Sequence, residues 1–300
     1  MVNTASASGW SFECEHCHNV RRGADRFCYA CWHPRGLETP TVRRARLPNE
    51  RTALEMRYKK AIELAREEGR DGVVSLFERH IKERTKAVVA MRFEHFELLA
   101  NSENALFKNY YDLVDEEEER TPAEPDDDAE RRITDILLWG RAGEEVFMAA
   151  LCLTPIGLRS YGDTYLTLSE KCFAYRSVVL EENSFHFVKR HAIEKPFSGP
   201  PGYLSIWEDR HMLAVAKHGV DLRKDTRETD FRSILLKSEG LRATDEFMEI
   251  TIYGKFTRYS IESKCFDDRI FTKAWEENRI KRIRALRRKA IEQQEEETGT

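Results

Sequence analysis

The stretch 247–253, FMEITIY, decides the class of fold. Aromatic and β-branched residues fill it, Gly254 closes it, and that composition predicts a strand. Working outward, Thr164–Leu168 (TYLTL) and 173–180 (FAYRSVVL) predict two more strands of the same kind. Helical periods surround them at Ile133–Trp139, Glu144–Leu151, an Asn183-capped segment through Phe187 and His191, Trp207–His218 before Gly219, and Phe231–Lys237 before Gly240. Pro196–Gly202 reads as a loop. Strands and helices follow one another without the regular alternation of a doubly wound parallel sheet, so residues 131–267 are expected to form a mixed α+β domain.

Residues 115–130, DEEEERTPAEPDDDAE, carry like charges and two prolines, which predicts a solvated acidic linker. Before it, Leu54, Tyr58, Ala61, Ile62 and Ala65 recur at helical steps after an N-cap at Asn49, and Gly69 to Gly72 end that run. A second, longer stripe follows from Val73 through Phe77, Ile81, Val88, Met91, His95 and Leu98, continuing at Leu106, Tyr110 and Leu113. The expectation is a helical hairpin over 49–114. Upstream lies a basic connector, Arg35–Arg51, with Arg43, Arg44 and Arg46. Downstream, residues 268–295 read as a charged C-terminal helix with Lys281, Arg282, Arg284, Arg287, Arg288 and Lys289.

Composition narrows the class further. Aromatic residues at 10% supply bulk for a core, which excludes wholesale disorder despite 34% charged residues. The longest apolar runs, Ile136–Trp139 and Val146–Leu153, are too short to cross a bilayer. A net charge of −4 creates no global field for nucleic acid or acidic lipid. The first residues, MVNTASASGW, lack the basic start and apolar run of a secretory signal, so a cytoplasmic location and no membrane partner are expected.

Seven cysteines without an export signal point to metal before disulfides. Cys14-Glu-His-Cys17 and Cys28-Tyr-Ala-Cys31 are two Cys-x-x-Cys turns, with Gly23 and Asp25 suited to a turn between them. Two such turns supply the four thiolates of a closed tetrahedral zinc site. The stretch 14–36, CEHCHNVRRGADRFCYACWHPRG, resembles the short zinc ribbons of bacterial proteins, with Phe27 just before the second pair. The resemblance implies structural Zn2+ held by Cys14, Cys17, Cys28 and Cys31 in a module over residues 10–36. Cys152, Cys172 and Cys265 read as buried small hydrophobes.

Phosphate-loop, Rossmann, nucleophile-elbow and His-Glu-x-x-His patterns are absent from the sequence. What remains is Arg159 before a strand, Ser177 within one and Glu249 on the strongest one. That order resembles the arginine, serine and late glutamate of ADP-ribosyltransferases. The resemblance implies an NAD site, in which Arg159 holds phosphate and Glu249 a ribose hydroxyl. The competing reading of Glu249 is a surface position on a buried sheet. His80, His95, His211 and His218 read as packed or solvent-facing side chains rather than ligands. Three functions stay open: a zinc-ribbon protein docking a protein partner, an NAD-dependent transferase, and a nucleic-acid binder using its basic stretches.

Overall fold

The computed structural model describes residues 11–13, 20–22, 38–101, 106–107, 109, 111 and 125–266. The architecture is α+β. Seven strands form one wholly antiparallel sheet: β3 (Lys86–Met91), β4 (Val146–Cys152), β5 (Thr164–Leu168), β6 (Ser177–Leu180), β7 (Leu204–Ile206), β8 (Glu249–Tyr253) and β9 (Ile261–Phe266). Their order is β7-β6-β8-β4-β3-β5-β9. Two short strands, β1 (Ser11–Glu13) and β2 (Val20–Arg22), pair with each other in a sheet of their own.

Helices cover both faces. On one face, α2 (Pro48–Glu67), α3 (Asp71–Arg84), α4 (Phe93–Asn101), α8 (Arg210–His218) and α9 (Phe231–Leu235) bury Leu54, Phe77, Ile81, Phe96, Leu213 and Phe231 against Phe147, Leu151, Val89 and Ile250. On the other, α1 (Pro40–Ala45), α5 (Pro125–Trp139) and α7 (Ser184–Arg190) bury Val42, Leu138 and Phe187 against Val146, Val178 and Leu180. A four-residue helix, α6 (Glu170–Phe173), precedes β6. This three-layer arrangement puts the sheet's charged exceptions inside the protein.

Several local expectations hold. Gly69, at φ +63°, ends α2 where the sequence places the stop. Asn183 caps α7 by accepting the Phe185 N–H at 2.9 Å. Gly254, at φ +77°, follows β8. At the start of α2 the N-cap is Leu47 with Pro48 at the first helical position, so Asn49 lies inside the helix.

Other expectations are corrected. The long helix from Val73 stops at Arg84, and Val88 and Met91 belong to β3, near the middle of the sheet. Residues 49–114 are therefore no separate hairpin: α2 and α3 pack on the sheet that β3 helps to form. The segment expected as a helix over Glu144–Leu151 is β4, whose alternating sides are both buried. In 173–180 only Ser177–Leu180 is strand, and β7 and β9 carry no expectation. Residues 125–130 of the expected linker begin α5, while 115–124 lie outside the described residues. The expected C-terminal helix 268–295 and all four zinc cysteines also lie outside them. The expected turn at Gly23 and Asp25 lies outside them as well.

Among the described residues no helix is long and apolar enough to cross a membrane. Cys152 and Cys172 are buried as expected, whereas Cys265 is half-buried. His80 and His218 are buried, with ring nitrogens 3.1 Å from Glu228 and 3.0 Å from Asp221 respectively.

Candidate functional site

Strand alternation decides where Glu249 points. It stands opposite Ala150 of β4 and Leu180 of β6, so it shares the face of Val178, Leu180 and Ala150, while Ile250 and Ile252 enter the opposite core. Two apolar clusters lie on its face, one around Leu138 and Val178 and one around Ala150, Leu158 and Phe247. Glu249 is 2% exposed among them. The surface reading of Glu249 is thereby corrected.

A buried carboxyl needs partners, and one helix end provides some of them. Glu249 Oε2 accepts the Ser184 backbone N–H and the Ser184 hydroxyl, each at 3.3 Å. The same hydroxyl accepts from Arg131 Nη1 at 3.2 Å. Arg131 grips Asp135 in a fork, Nε to Oδ2 at 2.8 Å and Nη2 to Oδ1 at 2.5 Å, and the Tyr111 hydroxyl donates to the same Oδ2 at 2.9 Å. The spacing of Arg131 and Asp135, one turn apart on α5, makes that fork local. Glu249 Oε1 is buried and has no hydrogen-bond partner among the described residues.

The charge of Glu249 also reaches Tyr161 in the turn before β5. The Ser160 hydroxyl donates to Asp245 Oδ2, and Asp245 Oδ1, also buried, has no partner among the described residues. Tyr161 is 36% exposed, and the Arg242 guanidinium sits 4.7 Å above its ring. Gly162 at φ +156° lets this turn cross the end of β3, since a Cβ there would stand 2.1 Å from Met91 O. Asp163 then caps α4 through the Phe93 N–H at 3.0 Å.

Electrostatics follow from burial. Desolvation pushes the Glu249 carboxyl above the ordinary carboxylate range, against the pull of Arg131. Desolvation raises Asp135 too, with Arg131 opposing it. Burial works against the charge of Arg131, but Asp135 and Glu249 outweigh it and hold the guanidinium charged. Burial raises the Tyr161 phenol, and the negative charge of Glu249 adds to that, so ring and carboxyl share one field. A carboxyl that keeps its proton late, with one buried oxygen unpartnered among the described residues, has a hydrogen bond left to give.

Of the three residues expected together, Ser177 stands apart from Glu249. Arg159 is exposed, and its backbone N–H donates to Ser238 Oγ at 3.0 Å. Ser177 lies opposite Ile252, three positions along β8 from Glu249 and thus about 10 Å away on the other face. Its hydroxyl donates to Ala174 O at 3.2 Å. Glu249 instead keeps company with Ser184 and Arg131, and its charge and that of Asp245 act on Tyr161, residues absent from the expected set. The available signals were the Asn183 cap, which fixes Ser184, and the i, i+4 pair on α5. Among the described residues no group of three or more His, Cys, Asp or Glu side chains is placed to hold a metal ion. Comparison with known protein families and with curated proteins gives no match to this chain.

Proposed function

We propose that this is a zinc-ribbon protein whose N-terminal module, closed by Zn2+ on Cys14, Cys17, Cys28 and Cys31, docks a protein partner. The α+β domain behind it holds a small polar ligand at Glu249. The observation that carries the reading is the pairing of β1 with β2 in a sheet of their own, apart from the seven-stranded sheet. Four cysteines in two Cys-x-x-Cys pairs ten residues apart in sequence fit a thiolate metal site, and a reducing cytoplasm would keep them ready for zinc. Metal analysis of the purified chain tests it. About one zinc per chain is expected, lost in Cys14→Ser with Cys28→Ser, and a metal-free wild type would overturn it.

A second reading, ADP-ribosyl transfer from NAD, retains one favourable observation, a buried late-strand glutamate beside a guanidinium. The position of Ser177 apart from Glu249 counts against it. NAD-dependent labelling that disappears in Glu249→Gln would support this reading, and no labelling by the wild type would remove it.

A further inference from the structure

One arginine of the basic connector, Arg44, is held at a cavity rather than spread over the surface. Within α1, Arg43 and Arg44 line a cavity of about 250 Å3, together with Asn49, Glu50, Phe197 and Gly199. Arg44 is fixed in place: it donates Nη1 to Leu138 O, and its guanidinium lies 5.7 Å from the Trp139 ring and 5.2 Å from that of Phe197. Gly199 packs closely on the apolar cluster beside it, since a Cβ there would stand 3.1 Å from Ile193 Cδ1 and 3.4 Å from Phe187 Cε1. Arg43 is exposed at the rim and spends Nη2 on Glu38 O at 3.3 Å. Glu50 is turned to the Gly202 N–H at 2.8 Å, and burial raises its carboxyl above the ordinary range. Two guanidiniums against one such carboxyl leave the cavity positive.

Phe197 is the odd member. It is a bulky residue at φ +63°, in the left-handed region, and it is 56% exposed. Both features are unfavourable for an aromatic side chain, and strain of this kind concentrates at ligand-binding positions. One side of its ring is pressed on Gly140, where a Cβ would stand 2.7 Å away, and more than half of the residue stays open to solvent. A flat accessible ring next to forked donors suits a ligand with a planar ring and an anion. The volume admits a mononucleotide-sized molecule rather than a polymer.

We propose that this cavity binds a small phosphate monoester of the nucleoside monophosphate class, with Arg43 and Arg44 on the phosphate and the base stacked on Phe197. The inference is independent of the Glu249 site. Calorimetric titration of the full chain with AMP, adenosine and inorganic phosphate tests it. Saturable AMP binding is expected, tighter than either fragment, and about tenfold weaker in Arg43→Gln and in Phe197→Gly. Phe197→Gly also relieves the backbone, so its melting temperature should not fall by more than a few degrees. Phe197→Leu keeps apolar bulk without an aromatic face and should weaken AMP binding while leaving phosphate binding as it was. The inference is overturned if the wild type does not bind AMP, if AMP binds as well to Arg43→Gln or Phe197→Leu, or if Glu249→Gln abolishes binding and Arg43→Gln does not.

Discussion

At Glu249 burial favours the protonated carboxyl. Its pKa in the folded chain lies above the ordinary value of 4.5, so between the two values the unfolded chain gives up its proton first. Stability attributable to this group is therefore full below about pH 4.5 and falls as pH rises through the folded pKa. Glutamine keeps an acceptor for Ser184 and cannot ionise. Melting curves across pH 4 to 8 should show Glu249→Gln gaining on the wild type as pH rises, and a constant difference would mean that Glu249 does not titrate as described. The strand pattern around 249 is legible because β-branched neighbours mark it. Arg131 is not, since its meeting with Ser184 and Glu249 depends on how α5 and α7 cross the sheet, which no local period encodes.

Strands buried on both faces are the elements that the sequence hides. Lys86–Met91 and Val146–Cys152 lack the alternation of a half-exposed strand, because helices cover each side, and their alanines and methionines suit helix as well. Half-legible elements are held by contacts from afar. Arg176 is fully buried and donates Nη1 to the carbonyls of Tyr253, Gly254 and Lys255 at 2.7, 2.8 and 3.0 Å, and Nε to Cys172 O at 2.8 Å. It closes the end of β8 through those carbonyls. Arg176→Met strands those acceptors and should cost about 3 kcal/mol or more in denaturant unfolding. Gly162→Ala drives a Cβ into the Met91 backbone and should cost about 3 kcal/mol or more, and it should also displace Tyr161. A cost below about 0.5 kcal/mol for either variant would contradict the packing described.

Over the whole molecule, chain order and spatial order part company. An acidic tract at 115–130 reads as a domain boundary, yet β3 from before it pairs with β4 from after it, Lys86 opposite Cys152. Such pairing of remote segments leaves no trace in composition. A protease nick between residues 115 and 124 should thus leave both fragments together on gel filtration in native buffer, and their separation would refute the shared sheet. The ribbon is the converse case. Its metal site is proposed from cysteine spacing alone, and a unit this small has little core of its own, so on that proposal its folding free energy comes from metal. Hydrogen exchange of the zinc-loaded chain, with and without a chelator, is the most direct test. Chelation is expected to remove protection from residues 11–36 while Thr164–Leu168 and Glu249–Tyr253 keep theirs. Loss of protection in those strands together with the ribbon would contradict a docking module built onto a self-sufficient sheet.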